Sequence, residues 1–336
     1  MEEKGGYVME RNCIFESQGI ISSQEPTGVM IRTCTYFLFS ILILSGCRHS
    51  SPSFEAMAWR DTSSSHIEVF MMDGGQVLRV NGIVKDVIDT TDRTSVSRYI
   101  PVMDIPRQYF DTNGVALLAN IGSGAIVRNY GNAGWHIDVA EPDSAILHAA
   151  ITAFRTTLPE SSLFRESGRE FLSHTANTYD IILVDGVASS ALPTAMMTRE
   201  FFELAEQHLR TRGLLAIAVE SVGWHDGIVQ SLGRTLQELF KKVTVLPVAE
   251  PPNTFGGIVL LATDVPRNLS AEPERNIEFD PEWRYGAGYQ RTHALDNSFT
   301  PDPGAGRVLT DATSRFDTIF TRIIDSARVQ SSHFVP

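Results

Sequence analysis

Cysteine is scarce and confined to one end of the chain. The 336 residues include Cys13, Cys34 and Cys47, and none follows position 47. A disulfide or a cysteine-based zinc site needs several thiols, so neither can form between residues 48 and 336. The nine histidines do not show a metal-ligand spacing such as HExxH. We therefore expect a main body that works without a metal ion.

Positive charge is also in short supply. Lys and Arg number 28 against 40 Asp and Glu, which leaves a net charge of −12 and no basic cluster. Because nucleic-acid affinity rests mainly on clustered Lys and Arg, we expect no nucleic-acid partner. The phosphate-binding pattern GxxxxGK[ST] and the nucleophile pattern GxSxG are absent as well. The 43% of apolar residues is typical of a globular domain with a real core.

The hydrophobic run near the start is too short to cross a bilayer. It covers Tyr36–Leu44, whereas a membrane-spanning helix needs roughly 20 apolar residues. A basic residue, Arg32, precedes the run, and the small residues Ser45 and Gly46 lead to Cys47. The run has the length of a signal-peptide hydrophobic region. The sequence LSGC resembles a bacterial lipobox, in which the cysteine becomes the lipidated first residue of the mature protein.

We therefore expect residues 1–47 to be a leader and lipoprotein-type signal peptide, with Met30 as the true start, and residues 48–60 to be a tether. This predicts a protein of the bacterial cell envelope, anchored in the membrane through lipid on Cys47 and facing away from the cytoplasm. An uncleaved anchor or a buried hydrophobic segment is the alternative. If translation starts downstream, for instance at Met57, the protein is cytoplasmic.

The main body begins with signals for a small antiparallel sheet. Two β-prone runs, Ile67–Met71 and Gln76–Val80, flank the turn sequence MDGG, and VNGIV continues through a second turn. We predict an N-terminal β domain over residues 61–110. After residue 264 the chain is rich in polar residues, Pro and Gly, and we expect an extension over 265–336 with one helix at Ala312–Ala327.

Between these parts, strands alternate with helices. This order predicts an α/β domain over residues 111–264, a doubly wound, mostly parallel seven-stranded sheet of the Rossmann type. The predicted helices are Pro142–Phe154, Thr198–Arg210 and Asp226–Lys241. The predicted strands are Val115–Asn120, Trp135–Ala140, Ser162–Arg165, Tyr179–Val184, Leu214–Glu220, Val243–Pro247 and Gly257–Ala262.

A glycine turn follows the first strand of this domain. In a doubly wound sheet, ligands bind at the carboxyl ends of the strands, and Gly122 and Gly124 lie at such an end. Val127 replaces the third glycine of GxGxxG. Glu141 ends the next strand 19 residues after Gly122, close to the roughly 20 expected of an acid that binds ribose hydroxyls. We predict a nucleoside site for an S-adenosylmethionine-type ligand rather than NAD; the alternative is a helix-capping acid in a plain α/β protein.

A second acid lies in the same predicted cleft. Asp185 ends the strand IILVD, at the carboxyl end of a central strand. Such a carboxylate is placed to take a proton from a bound substrate.

Several blocks of the sequence, taken in order, resemble the spermidine synthase-like proteins, in particular a bacterial branch whose members are often membrane-associated. The blocks are SHIEVFMMDGGQVLRVNGIV, GSGAIVR, VAEPD, SGREFL, YDIILVDGVASSALPTAMMTREFFELAEQHLRTRG and GRVLTD. The resemblance implies an N-terminal β-hairpin domain on a methyltransferase-type Rossmann domain. Enzymes of the family move an aminopropyl group from decarboxylated S-adenosylmethionine to putrescine, release methylthioadenosine and spermidine, and need no metal. They often form dimers, so a homodimer is a further expectation.

The resemblance assigns roles by position. Gly122 and Gly124 match the family's cofactor loop, and Glu141 matches the acid that binds the ribose. Asp185 matches the proton-accepting aspartate. Gly168 belongs to the block SGREFL beside the adenine, and we count it among the cofactor-binding residues.

Five positions depart from the family's pattern, and one of them is Ser190, where the membrane-associated branch often has an acid. Ser167, also counted as cofactor-binding, stands where an aspartate binds the adenine amino group, so a hydrogen bond can remain but the charge is lost. Ala188 stands where a second aspartate holds the amine. Ser65 replaces a glutamine, and Tyr99 lies near the family's tyrosine-containing polyamine block but out of register. Half of the nucleoside site is thus kept, while the polyamine anchors are mostly missing.

Three hypotheses follow. The protein is an aminopropyltransferase of the spermidine synthase type with a polyamine or other amine as acceptor, or a related S-adenosylmethionine-dependent transferase with another acceptor. The third is a non-catalytic lipoprotein on an enzyme fold. A lipoprotein faces away from the compartment where adenosyl co-substrates are made, so the signal peptide favours the third hypothesis and the motifs favour the first.

Overall fold

The computed structural model describes residues 55–61, 65–189, 193–248, 251–265 and 286–312, together with 323, 324, 326 and 327. All of them belong to one structural unit, Pro52–Pro336. The leader with Met30 and Cys47, the tether before residue 55 and most of the predicted final helix lie outside the described residues. Within these ranges, we find no helix with the length and apolar character needed to cross a membrane.

The N-terminal part is a small antiparallel sheet, as the turn signals predict; it has four strands, and the first, Glu55–Asp61, occupies the end of the stretch 48–60 that was predicted to be a tether. Its strands are β1 (Glu55–Asp61), β2 (His66–Met72), β3 (Gly75–Val80) and β4 (Ile83–Asp89), in that spatial order. The turns after β2 and β3 are Asp73-Gly74 and Asn81-Gly82, and all four residues have positive φ. Such turns match the right-handed twist of paired strands, and Asp-Gly and Asn-Gly adopt them readily.

The second sheet has seven strands, which confirms the predicted doubly wound architecture. Its spatial order is β10-β11-β9-β8-β5-β6-β7, with parallel pairing from β9 to β7 and antiparallel pairing of β11 with β9 and β10. The central strands are buried along almost their whole length because helices cover both faces. The strand bounds are β5 Val115–Ala119, β6 His136–Ala140, β7 Leu163–Phe164, β8 Tyr179–Asp185, β9 Leu209–Ser221, β10 Lys242–Pro247 and β11 Gly256–Thr263.

Side-chain caps begin most helices that follow the strands. Asp143, Ser167, Thr198 and Asp226 each accept a hydrogen bond from a backbone N–H of the first turn, which satisfies a donor that the helix leaves unpaired. The helix bounds are α1 Tyr99–Met103, α2 Ala125–Asn132, α3 Ser144–His148, α4 Gly168–His174, α5 Arg199–His208, α6 Gly227–Gln237 and α7 Ala287–Asp296.

The three predicted helices of the α/β domain differ from the observed ones in type or in length. The helix predicted over Pro142–Phe154 is α3 followed by a π-helical turn, Ala149–Ala153. Helix α5 stops at His208 because Leu209 is already extended and begins β9, before the predicted start at Leu214. Helix α6 stops at Gln237 instead of Lys241. Helix α7 was not predicted, since its few apolar residues do not fall on one face.

The polar C-terminal extension returns to the sheet domain and packs on α6. A side chain at Gly233 would collide with the ring of Pro301. Leu309 N donates to Thr235 Oγ1 over 2.9 Å, and Arg307 N donates to Ser231 Oγ over 3.1 Å. Ser231 and Thr235 are therefore buried although they are polar.

Candidate active site

The glycine turn (residues 120–124) connects β5 to α2 in a left-handed conformation. Asn120, Gly122 and Gly124 have φ values of 72°, 54° and 77°, a region that glycine enters without steric cost. A Cβ at Gly122 would lie 2.6 Å from Cβ of Ala188, and one at Gly124 would collide with Thr156. Both predicted glycines are therefore required by their positive φ and by the close approach of the Ala188 and Thr156 side chains.

Glu141 ties the end of β6 to this turn. Its Oε2 accepts a hydrogen bond from Ile121 N over 3.0 Å, and its Oε1 accepts one from Asp143 N over 2.9 Å. Burial raises the pKa of Glu141 to about 7, although these two backbone bonds oppose the rise. Asp143 is held in turn by Ser65, whose Oγ donates to Oδ2 of Asp143.

Asp185 is buried at the end of β8, in the acid loop (residues 185–189). Its Oδ1 accepts hydrogen bonds from Val187 N over 3.1 Å and from Ala188 N over 2.9 Å. Asn120 Nδ2 donates to the carbonyl of Asp185 over 3.0 Å, which joins the acid loop to the glycine turn. Burial raises the pKa of Asp185 to about 7, and the Ala188 amide and the Tyr99 hydroxyl oppose the rise.

Tyr99, which lies out of register with the family's tyrosine block in the sequence, contacts Asp185 directly. Its hydroxyl donates to Asp185 Oδ2 over 3.0 Å. The ring is buried, and burial raises the pKa of Tyr99 well above its usual range, with the charge of Asp185 as the next cause. The sequence does not reveal this contact because Tyr99 starts a helix of only one turn, α1, whose position beside β9 and β11 depends on packing between distant segments.

An open cavity of about 470 Å³ lies at the carboxyl ends of β5, β6 and β7. This volume is within the range of roughly 300–1,000 Å³ that is usual for small-molecule sites. Glu141, Ser167 and Asn120 are among its lining residues, and Ser189 of the acid loop also lines it. Glu141 and Ser167, predicted separately, are thus brought to one cavity.

The other predicted residues act behind the cavity wall. Asp185 is buried next to the cavity and does not line it; the lining residue Asn120 donates to its backbone carbonyl. Gly168 allows close packing of α4 on β5, since a Cβ there would lie 2.6 Å from Cβ of Ala119 and 3.1 Å from Sδ of Met196. Its requirement is steric.

Glu170 is a lining residue that the sequence did not single out. It forms a capping box with Ser167: Ser167 Oγ and Ser167 N donate to Glu170 Oε2 over 2.8 and 2.9 Å. The hydrogen bond from the Ser167 backbone lowers the pKa of Glu170, so the carboxylate is charged at neutral pH. The charge missing at Ser167 is therefore present three residues later on the same wall. The signal was available as the pattern SxxE.

A second missed residue, Arg169, joins this wall to the C-terminal extension. Its Nη1 donates to the carbonyl of Ala195 over 2.9 Å, and both terminal nitrogens pair with the Asp311 carboxylate over 2.7 and 2.5 Å. Thr198 Oγ1 donates to the same carboxylate over 2.8 Å. Arg169 and Ala195 both line the cavity, so the block GRVLTD reaches its rim.

The described part of the chain contains no group of three or more His, Cys, Asp or Glu side chains that could hold a metal ion. The cavity instead offers carboxylates, hydroxyls and a backbone turn. Such groups suit the hydroxyls and amines of a nucleoside.

Comparison with known sequences gives matches to spermidine synthases and polyamine aminopropyltransferases. The sequence model of the spermine/spermidine synthase domain matches residues 135–267. Spermidine synthase 2 of Datura stramonium is 24% identical over 203 residues, which cover 57% of this chain and 63% of that protein. Polyamine aminopropyltransferase 2 of Pseudomonas aeruginosa is 30% identical over 109 residues, which cover 32% of this chain and 31% of that protein.

Solved structures give the same picture for the fold. The crystal structure of spermidine synthase from Thermotoga maritima superposes with a TM-score of 0.56 at 16% identity, covering 71% of this chain and 84% of that one. A spermidine synthase in complex with the transition-state analogue AdoDATO superposes with a TM-score of 0.56 at 16% identity, covering 71% and 83%. The chain is therefore similar to the spermidine synthases, in sequence over residues 135–267 for the domain model and in fold over 71% of its length.

Proposed function

We propose that the protein is an aminopropyltransferase of the spermidine synthase type. It would move an aminopropyl group from decarboxylated S-adenosylmethionine to an amine, with putrescine as the first acceptor to assay. The observation that carries the proposal is Asp185, a buried carboxylate with a pKa of about 7 that accepts a hydrogen bond from Tyr99. A general base works best when its pKa is near the working pH.

The cavity would bind the nucleoside part of the co-substrate. Glu141 would bind the ribose hydroxyls, and Gly122 and Gly124 would let the turn pack closely on Ala188 and Thr156 beside the cavity. Ser167 and Glu170 form the wall proposed for the adenine, where a carboxylate can accept a hydrogen bond from an amino group.

The chemistry needs few groups. Asp185 takes a proton from the acceptor ammonium, and the free nitrogen lone pair attacks the propyl carbon bonded to the sulfonium. A C–N bond forms as the C–S bond breaks, and methylthioadenosine leaves with the electron pair on sulfur. Holding both substrates in line supplies much of the acceleration, and no metal is required.

The residues proposed to bind the acceptor suit a cationic amine but differ from those of the family. Ala188 is buried against Gly122, so the second aspartate has no substitute at that position. Glu220, near the end of β9, is close enough that its charge contributes, after burial and the two aspartates Asp185 and Asp86, to the raised pKa of Tyr99. We propose that Glu220 and Asp185 together attract the cationic acceptor.

Isothermal titration of the purified protein with methylthioadenosine and with decarboxylated S-adenosylmethionine tests the proposal. We expect micromolar binding that Glu141→Ala abolishes, followed by spermidine formation from putrescine. Binding without transfer to any amine would favour another acceptor or a non-catalytic binding protein. No binding of either ligand would reject both transferase hypotheses and favour the non-catalytic lipoprotein.

We also propose that the protein is a lipoprotein of the cell envelope, related to the membrane-associated bacterial branch; because this location is away from the compartment that makes the adenosyl co-substrate, the anchor is tested separately from the transferase activity. The support is the run Tyr36–Leu44 followed directly by LSGC. Metabolic labelling with a fatty-acid analogue should mark the wild-type protein and leave Cys47→Ala unlabelled. Soluble, unlabelled wild-type protein in the cytoplasm would reject the lipid anchor.

The resemblance also implies a homodimer. Light scattering of the purified protein would test this oligomeric state.

A further inference from the structure

Strand β4 contains an irregularity beside the candidate active site. On β3, the neighbours Leu78 and Arg79 pair with Asp86 and Val84, so Lys85 has no opposite residue in the ladder. This is a β-bulge, which changes the direction of side chains and is frequent next to active sites. Side chains of a regular strand alternate between two faces, yet Lys85 and Asp86 are both buried, each 4% exposed. Two consecutive charged residues are thus turned into the interior.

Asp86 holds the glycine turn. Its Oδ2 accepts a hydrogen bond from the hydroxyl of Ser123, which lies between the two glycines. Its Oδ1 accepts from Val87 N, Ser95 Oγ and Ser97 Oγ over 2.8, 2.5 and 2.6 Å. Burial raises the pKa of Asp86, and the serine hydroxyls oppose the rise. The carboxylate is thus fixed by β4 and by the segment before α1. Through its bond to Ser123 it fixes the glycine turn relative to both.

Lys85 holds the acid loop. Its Nζ donates to the carbonyl oxygen of Val187 over 3.0 Å, and the amide of the same residue donates to Asp185 Oδ1. Val187 is therefore fixed from both sides. Burial is the main influence on the pKa of Asp185, and the charge of Lys85 is among the groups that oppose its rise.

The two loops also touch each other. Gly122 and Ala188 approach so closely that a Cβ on the glycine would lie 2.6 Å from that of the alanine. Their relative position decides how a nucleoside beside the turn faces a base in the acid loop.

We propose that Lys85 and Asp86 are a pair of positioning residues, turned inward by the bulge, that hold the acid loop and the glycine turn in register with each other. Asp86 acts through Ser123 and Lys85 through Val187. Only the expected effects on ligand affinity and KM rest on the proposed function. The effect of each residue on the mobility of its loop is measurable without a ligand.

Hydrogen–deuterium exchange on the full-length protein tests each hold separately. We expect Asp86→Asn to speed exchange of amides 121–125 about tenfold or more, with a smaller effect at 186–189. Lys85→Met should do the reverse. Charge-assisted hydrogen bonds of this kind are among the stronger ones in proteins, which makes an effect of this size reasonable. Unchanged exchange in both loops would overturn the proposal, as would a uniform increase across β5 and β8, which indicates general destabilisation.

Matched controls come from the same chain. Asp89→Asn changes an acid of β4 whose carboxylate accepts from Thr91 N in the same turn over 2.7 Å, and Lys242→Met changes a lysine at the start of β10. Neither should affect the two loops. If Asp86→Asn does not fold, Ser123→Ala removes the same hydrogen bond from the turn side, and Lys85→Gln, which keeps a donor, should restore part of the slow exchange.

Ligand measurements separate this inference from the proposed function. Asp86→Asn should weaken methylthioadenosine binding about tenfold, whereas Lys85→Met should keep the nucleoside Kd and raise the KM for the amine. If the wild-type protein binds no nucleoside, the proposed function fails while the exchange experiment still decides the positioning roles. If both variants lower only the melting temperature, and binding and KM are unchanged, the residues are merely structural and the proposal fails.

Discussion

The hydroxyl of Tyr99 donates a hydrogen bond of 3.0 Å to Asp185 Oδ2, although the two residues are 86 positions apart. Together with the amides of Val187 and Ala188, it leaves the carboxylate with three donors and no ion pair at hydrogen-bond distance among the described residues. These donors fix the position of the carboxylate, while its pKa of about 7 leaves it partly protonated at neutral pH. This is what a base needs if it is to take a proton near neutral pH.

Tyr99→Phe should lower the transfer rate at pH 7 by about tenfold to a hundredfold, since a hydrogen bond to a charged group contributes about 1.5–3 kcal/mol. The hydroxyl also lowers the pKa of Asp185, so the midpoint of the pH–rate profile should move upward. Tyr130→Phe is the control, because it removes a buried hydroxyl that donates to Met103 O over 3.1 Å, away from Asp185. Equal effects of the two variants on rate and midpoint would contradict the role of Tyr99.

Asp185→Asn should abolish transfer, keep nucleoside binding and stabilise the protein at high pH. The amide oxygen can accept both loop N–H groups, and the Tyr99 hydroxyl can turn to accept from the new NH₂. In the folded protein the pKa of Asp185 is about 7, above its ordinary value of 3.8. The folded state therefore binds more protons, and the free energy of unfolding falls as pH rises from about 4 to 7, by at most roughly 4 kcal/mol.

Asparagine does not ionise and so avoids this loss. Thermal melts should show Asp185→Asn several degrees above wild type at pH 8 and close to it at pH 4. A lower melting temperature than wild type at pH 8 would show that the carboxylate stabilises the fold, contrary to the raised pKa.

Gly122→Ala should cost most of the nucleoside affinity. The residue has positive φ, and the new methyl would press on Ala188, so the glycine turn and the acid loop must separate. Gly131→Ala is the control: it lies in α2 with no heavy atom within 4 Å of the new Cβ, and alanine in a helix is favoured over glycine by about 0.5–1 kcal/mol. Titration with methylthioadenosine should separate the two variants, and similar affinities would argue against contact between the turn and the ligand.

Asp311→Ala should loosen the rim of the cavity without unfolding the protein. Its ion pair with Arg169 is partly exposed, and such pairs contribute about 0–1 kcal/mol to stability. We expect a small change in melting temperature, faster proteolysis near residues 306–312 and a several-fold loss of nucleoside affinity. Glu160→Gln is the control, since it breaks an exposed pair with Arg165 away from the cavity. An unchanged Kd for Asp311→Ala would remove Arg169 from the ligand site.

Local patterns in the sequence were sufficient to predict the site residues that lie at the ends of strands. The apolar strand runs, the glycine turn, Glu141 and Asp185 could all be predicted because each depends on neighbours in the chain and on the general rule that parallel strands present their carboxyl ends together. The two hairpin turns were readable for the same reason, since Asp-Gly and Asn-Gly fix the backbone by themselves.

Contacts between distant segments were not readable. The bond from Tyr99 to Asp185 and the hold of Lys85 on Val187 depend on how the small sheet packs against the large one. The bulge turns the side chain of Lys85 into the interior, and the alternation of polar and apolar residues along β4 does not reveal it. Helix α7 was missed because only Gln290 and Ala294 of its residues are buried, which leaves no apolar stripe.

The return of the C-terminal segment over α6 also decides where this protein can be divided. A fragment ending at residue 265 would contain every strand of the large sheet, yet it would present to water a helix face shaped for another piece of chain. Ser231 and Thr235 would lose the amides of Arg307 and Leu309, and Gly233 would lose Pro301. A fusion partner or a new terminus therefore belongs beyond residue 311, and the stretch that looks like a tail in the sequence is an outer wall of the domain.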